Sequence, residues 1–551
     1  MITFRPMSLP VPLSRSLSVL ALCAALARPA TGQIMLTHDE DASPVPVGSI
    51  RFRLQTGWTR YDERFGASGR HALGEDISSP ALGTKQLPLL TPAELGIQAL
   101  SNDPSIRLSL GRFDAKSDVR NVTTPISLEY GLTRRLSVGI MVPIVQTRRN
   151  IHVVVNSDTL NNVNFVPART RGTAANANAA VYAAFNKAAD SIATLIAQCP
   201  THTTSPGCGA VNANPAGAAA AANQARRFAN AVRSALGTDS LSAFLAPKAG
   251  SPLAAAIDGR RIATNTLLQA YLGSGAGALS SVFTTSGSFS YIDLQGRNGV
   301  PGLLQGPLGQ VDSIQTTNRL VAGGITFAAQ YLLHDGFSRD SLYAPRVQTR
   351  IAVGAAVRID RSPADSARLL GAIPASTGSG VVLRTAMDVI VGNLGGTIAA
   401  RFDKPFARTV SAPLYGDPDS YFVVPYFTNV QRTEGSVINL DLTPRYYLTE
   451  WMSLDFQYGF EHTAAPSVTS QSNVLADPQV IGGYSMPTYS ARTAQRVGFG
   501  FRYSSVDAYM RHRVRTPIEV SFSHLETITG DSGVPALSRD QIQVRLYFGL
   551  R

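Results

Sequence analysis

Residues Ser538 to Arg551 read S-R-D-Q-I-Q-V-R-L-Y-F-G-L-R. Ile542, Val544, Leu546, Phe548 and Leu550 alternate with Gln543, Arg545, Tyr547 and Gly549. That period of two puts apolar side chains on one face of a strand and polar ones on the other. A chain ending on such a strand, with an aromatic residue near the terminus on the apolar row, has the ending expected of a membrane barrel closed by its last strand. Arg551 departs from this ending, adding one cation beyond Leu550. In isolation the stretch would also suit an edge strand of a soluble sandwich, so the rest of the chain decides.

Working backward, the same alternation recurs in Ile518 to Phe522, Val497 to Tyr503, Met452 to Phe460 and Ile438 to Leu448. It continues through a weaker run at Ile398 to Phe402, then Leu383 to Val391, Val347 to Ile359 and Val321 to Tyr331. Before the middle of the chain come Leu136 to Ile144, Val122 to Tyr130 and Ile106 to Leu110, which makes twelve passes from residue 105 onward. Ser49 to Asp62, with Ile50, Phe52, Leu54 and Trp58 on one side, is a thirteenth. Single-chain bacterial barrels have an even count. Either a partner strand in 63–104 or 281–294 makes fourteen, or the first segment lies outside the wall. A tight turn at Thr133-Arg134 contrasts with long loops at 361–379, 408–433, 464–492 and 527–539, the asymmetry of outer-membrane barrels. Two or three sandwich domains would show similar strands. No linker divides these into domain-sized groups, which favours one meander. The fold class expected is all-β: a transmembrane antiparallel β-barrel of about 12–14 strands with an Ala-rich helical insertion.

The domain reading follows. Leu17 to Ala27 is apolar but shorter than the roughly 18 residues of a membrane helix. Arg5 and Arg15 precede it and Ala30-Thr31-Gly32 follows, so 1–32 reads as a signal peptide. Leu22 before Cys23 argues against a lipidated cysteine. Residues 33–104 form an N-terminal segment holding the first strand and then turn and helix signals (Pro80, Pro88, Thr91 to Leu95) that suit a plug or a periplasmic piece. Residues 105–150 hold the first barrel hairpins and 318–551 the remaining strands. Between them, 151–317 is an Ala-rich insertion with helical composition at Thr173–Ala197, Asn214–Leu236 and Pro252–Leu272. It is expected on the outer face, with a lumen plug as the other placement.

The net charge of +12 falls to +9 once Arg5, Arg15 and Arg28 leave with the leader. For an exported chain this suits anionic lipid head groups or arginines inside a pore, and no nucleic-acid partner is expected. Cys199 and Cys208, nine residues apart around Pro200 and Pro206-Gly207, are expected to form a local disulfide. The polar face of the strands gives the candidate lumen-lining set: Arg51, Arg53, Arg107, Glu129, Arg350, Arg358, Arg384, Asp388, Arg401, Asp441, Arg445, Asp455, Arg502, Glu519 and Arg545. These would pair into ladders that fill a narrow barrel, or line water in a wider one and favour anions.

No catalytic, cofactor or metal site is expected. Gly530-Asp531-Ser532-Gly533-Val534-Pro535 resembles the nucleophile segment of trypsin-like proteases, but no histidine stands in the context a triad needs. The eight histidines show neither H-x-x-x-H nor H-E-x-x-H spacing.

Leu128 to Gly139 reads L-E-Y-G-L-T-R-R-L-S-V-G, followed by Val142-Pro143. This hairpin resembles one in the outer-membrane family associated with the meta pathway of phenol degradation, relatives of the long-chain fatty-acid channel. The resemblance covers barrel hairpins and none of the insertion. It implies a channel for small hydrophobic or aromatic compounds and no catalytic residues. The functional expectation is a cell outer membrane channel for passive uptake or efflux of small molecules, with outer-membrane lipids, small-molecule solutes and the barrel assembly machinery as partners. The alternative is a non-conducting barrel that displays the insertion for adhesion or assembly, in which case the lumen arginines should all be paired.

Overall fold

The computed structural model describes residues 41–549, apart from 76–77, 88–89, 157–159, 274–278, 288, 298–299, 305–315, 338–345, 361–377, 414–426, 471–489 and 511. The expected leader at 1–32, Leu550 and Arg551 lie outside the described residues.

Twelve antiparallel strands form a closed barrel. They are β1 (Ile50–Tyr61), β2 (Arg112–Gly131), β3 (Leu136–Asn156), β4 in two pieces (Thr317–Ala322 and Ile325–Asp335), β5 (Gln348–Ile359) and β6 (Gly380–Val391). The ring continues with β7 (Leu394–Pro405), β8 (Val437–Thr449), β9 (Met452–Thr463), β10 (Arg492–Ser504), β11 (Ile518–Gly530) and β12 (Ser538–Phe548). Each strand pairs with the next in sequence, and β12 closes on β1 from Ile50↔Phe548 to Arg60↔Ser538. Both pieces of β4 lie along β3, the first at Ile144–Arg149 and the second at Leu136–Met141. Only the second pairs with β5. The break falls at Gly323-Gly324, where a Cβ on Gly324 would meet Asp360 Cβ at 2.9 Å.

The expected strand count is corrected in one detail. Ile50 to Tyr61 is in the wall, and Ile106 to Leu110 is not a strand, so the even number is reached without a hidden partner. The segment runs along residues 82–83, where Leu110 N–H donates to the Leu82 carbonyl and Leu108, Ser109 and Leu110 are all buried, so the alternation of residue types is not an alternation of faces. Asp114 to Arg120, a polar stretch between the runs at 106–110 and 122–130, is part of β2.

The β2–β3 hairpin is much longer than the others, at 20 and 21 residues against 12 or 13 for most. Its far half stands above the ring and carries a helical layer: α1 (Thr91–Ser101), α2 (Ala168–Gln198), α3 (Cys208–Ala213), α4 (Pro215–Leu236) and α5 (Pro252–Leu272). Of these, α2, α4 and α5 fall on the three Ala-rich stretches read from composition, and prolines sit at the first turn of α1, α4 and α5, where a missing N–H costs nothing. Asn214 and Ser251 cap α4 and α5 by accepting from Gly217 N–H and Ala254 N–H. With little apolar bulk, the layer packs by close approach. Gly96 of α1 lies so near Ala235 of α4 that a Cβ would come within 2.9 Å of its Cα. Phe185 and Phe228 stack with centroids 4.7 Å apart.

One core joins Leu82, Leu90, Ile97, Leu100, Leu108 and Leu110 to the insertion, so the segment 63–104, read as a plug or a periplasmic piece, belongs to this layer for most of its length. Cys199 and Cys208 are disulfide-bonded and buried in that core. The layer leaves at the same end of the ring as loops 62–111, 360–379, 406–436, 464–491 and 531–537, while the turns after β2, β4, β6, β8 and β10 share the other end with both chain ends of the barrel.

Candidate functional site, the barrel interior

The outward rows form an apolar belt around the ring. Leu54, Leu128, Phe327, Val357, Leu383, Ile398, Leu440, Phe456, Phe499, Phe522 and Ile542 are all exposed, contributed by nearly every strand. Soluble monomers rarely expose apolar patches of this extent, which mark a surface that meets lipid or a partner. From Ile50 to Trp58 the belt spans about 20 Å between Cα atoms, taking roughly 3.3 Å per residue and a tilt near 40°. With the reach of the end side chains added, that is the height of the hydrocarbon band of a barrel, about 25 Å. Tyr130, Tyr331, Tyr446, Trp451 and Phe548 mark its edge at the short-turn end. His524, Glu526 and Asp540, outward on β11 and β12, mark the long-loop edge, with His524 Nδ1 2.8 Å from Asp540 Oδ1. Arg in place of Leu442, mid-belt on β8, is expected to lower stability in lipid by about 2–4 kcal/mol. The same change at the exposed Leu241 of the helical layer should cost under about 0.5 kcal/mol. Urea unfolding from vesicles reads both.

Inside, the expected lumen set is brought together with one exception. Arg51 and Arg53 both engage Glu129. Arg358 holds Asp403 through two hydrogen bonds, 2.7 and 3.1 Å, and Arg401 approaches the same carboxylate at 3.7 Å. Arg445 pairs with Asp455 at 2.9 Å, Arg350 with Asp335 at 3.1 Å, and Arg545 with Glu519 at 3.0 Å, where Arg502 also binds. Asp441 faces inward on β8 between Asn439 and Thr443. Arg107 is the correction: it sits on the segment before β2, exposed, donating to the Pro104 and Ile106 carbonyls, because the alternation at 106–110 is not a wall strand.

Sequence reading missed Asp403 because the weak run at 398–402 stops short, whereas β7 continues to Pro405. It also missed the element that ties the interior together. Residues 41–47, D-A-S-P-V-P-V, precede β1 and turn into the lumen. The Asp41 carboxylate accepts from Arg545 at 2.8 Å and from Arg502 at 2.9 Å, while its carbonyl accepts from Arg384 at 2.9 Å. Ala42 N–H donates to Asp388 at 2.9 Å and Val45 N–H to Ser137 Oγ at 2.9 Å. Ser43 accepts from Arg350 at its hydroxyl and from Arg51 at its carbonyl. These partners lie on β1, β3, β5, β6, β10 and β12. Since β6 and β12 are six strands apart in a ring of twelve, Asp41 is held from opposite walls. Asp41, Ala42 and Val45 are buried. The one signal in sequence was imbalance: the lumen set has twice as many arginines as acids, and an acid from outside the wall makes up part of the difference.

The interior is uneven. Toward β9–β12, Gln457, Gln541, Gln543 and Arg545 pack almost without exposure. Toward β3–β5, Gly139, Ala328, Gly354 and Ala356 are too small to fill the space, and a cavity of about 140 Å³ remains. Twelve strands lie between the eight whose side chains fill the interior and the sixteen to eighteen that leave a water channel.

No family model matches the chain, and no curated protein matches it. Solved barrels align along most of its length. An outer membrane channel from Pseudomonas putida F1 is 8% identical, with 93% of this chain and 100% of that chain covered and a TM-score of 0.37. The translocator domain of the autotransporter NalP from Neisseria meningitidis is 7% identical over 98% of this chain and 95% of that one, with a TM-score of 0.28. The P. putida toluene transporter TodX is 10% identical over 91% and 89%, with a TM-score of 0.21. Likeness at this level carries nothing about function, which rests on the geometry.

Proposed function

We propose that this protein is an outer-membrane channel for passive movement of small molecules, held shut here by residues 41–47. The long-loop end with the helical layer then faces outward and the short turns face the periplasm, the usual asymmetry of such barrels. The observation that carries the reading is the strap itself. It is a peptide outside the wall that crosses the lumen on side-chain hydrogen bonds and ion pairs from six strands. Apolar packing is limited to two short side chains, Ala42, which shares a small buried cluster with Leu332, Ala352 and Ala386, and the fully buried Val45. Polar contacts of this kind exchange for water at modest net cost, so the strap is removable in a way that a wall residue is not. The hairpin at Leu128 to Gly139 and its resemblance support small hydrophobic or aromatic solutes as the class carried.

A second reading is favoured by one observation: the lumen arginines of the wall are engaged by acids or by the strap, as a non-conducting barrel displaying the helical layer would require. Planar-bilayer recording separates the two. The channel reading expects the full-length protein to be nearly silent and a variant lacking residues 41–47 to conduct in discrete steps. Silence in both, with the deleted protein still folded by circular dichroism, would leave the display reading.

A further inference from the structure

We propose that the cavity on the β3–β5 side of the lumen is a binding site for a small organic anion: a carboxylate on an apolar body the size of one ring. The inference rests on the channel reading, whose substrate class it names.

Size comes first. The cavity measures about 140 Å³, and an apolar protein cavity of about 150 Å³ holds one benzene molecule. Its walls include Met141, Ala328, Ala356 and Val382, which offer no hydrogen bonds. A neutral hydrocarbon would fill that part of the site.

The polar part argues against a hydrocarbon. Gln55, Ser127 and Thr326 line the cavity, each more than nine-tenths buried, and Gln55 Nε2, Ser127 Oγ and Thr326 Oγ1 have no hydrogen-bond partner among the described residues. Gln330 Nε2, also lining it, is unpartnered as well. A buried polar atom without a partner is destabilising and is rarely retained. These four atoms sit in the wall of one cavity, on β1, β2 and β4, each closed off from its open space in this structure, so the side chains turn inward to meet a ligand there. All four can donate, and two are amide nitrogens that can only donate. The ligand group they fit is an acceptor with several lone pairs, as a carboxylate has.

Charge points the same way. Arg53, Arg384 and Arg401 line the cavity with one carboxylate, Glu129, which Arg51 and Arg53 already hold, while Asp403, 3.7 Å from Arg401, is held by Arg358 and is not part of the lining. The field in the cavity therefore favours an anion over a cation, and guanidinium groups suit carboxylate geometry. Two lining residues also hold the strap: Arg384 donates to the Asp41 carbonyl, and Ser137 accepts from Val45 N–H. An anion that draws Arg384 toward the cavity loosens one end of the strap.

The test is calorimetric titration of the full-length protein in lipid nanodiscs. The probes are benzoate, its neutral counterpart benzyl alcohol, and inorganic phosphate. Saturable benzoate binding is expected, at least tenfold tighter than that of benzyl alcohol, with none for phosphate, which cannot use the apolar walls. Ala356→Phe, which fills the space, should abolish benzoate binding. Thr326→Val and Gln55→Leu should each weaken it about tenfold or more while leaving the circular dichroism spectrum unchanged. Equal binding of benzoate and benzyl alcohol, benzoate binding that survives Ala356→Phe, or no binding of benzoate would overturn the inference. A barrel that conducts once residues 41–47 are removed but ignores benzoate sinks only this inference. One that binds benzoate but never conducts sinks only the channel reading.

Discussion

Asp41→Asn is expected to convert a nearly silent barrel into one that opens for an appreciable fraction of time. In the closed form the Asp41 carboxylate accepts from two guanidinium groups, Arg545 and Arg502, deep inside the lumen. Hydrogen bonds to charged groups are worth about 1.5–3 kcal/mol each. An amide keeps the shape and one acceptor but loses the charge. A net loss of about 3 kcal/mol shifts the ratio of open to closed forms by roughly 100-fold, since about 1.4 kcal/mol is tenfold. The wall should be untouched, because Arg502 and Arg545 still share Glu519. Single-channel open probability, with urea unfolding as the control, checks both halves of the statement.

Asp403→Ala is expected to have the largest effect on stability. Arg358 is almost wholly buried and makes a bidentate contact with Asp403, with the Gly378 carbonyl as its remaining partner at 2.6 Å. Breaking a buried pair by removing one member costs about 3–5 kcal/mol, because the other charge stays buried. Replacing both members by apolar residues of similar volume is often neutral. The double variant Arg358→Met with Asp403→Leu should therefore recover to within about 1 kcal/mol of the parent, measured as the urea midpoint of the barrel in vesicles. If the single variant costs under about 1 kcal/mol, the pair is hydrated and the lumen at that level is open to water.

The strands were legible because a lipid-facing row and a lumen-facing row must alternate at every step. The register of the last strand, with Ile542 and Phe548 outward and Arg545 inward, was readable without any other part of the chain. The helices α2, α4 and α5 were legible from alanine content alone, which puts the start of α2 at Thr173 instead of Ala168. Ile106 to Leu110 was misread for the same physical reason that made the others right. Leu108, Ser109 and Leu110 are all buried against the neighbouring loop, yet the residue types alternate as in a wall strand, and five residues hold too little information to separate the two cases. The strap was invisible because an extended peptide with two prolines has no periodicity of its own. Its meaning lies in arginines up to 504 residues away. Which acid each lumen arginine meets also depends on curvature and on neighbours across the ring, and those are fixed only when β12 closes on β1.

The claim that residues 41–47 shut the channel is tested most directly by fastening them in place. Ala42 shares a four-residue buried cluster with Ala386 on β6, so cysteines at both positions, added to the Asp41→Asn chain, are placed to tie the strap to the wall. The measurement is bilayer conductance of this triple variant before and after an impermeant reductant is added at the short-turn side. The expected result is silence while the cross-link is intact and discrete openings once it is reduced. Openings of the same size and frequency with the strap tied down would contradict the account.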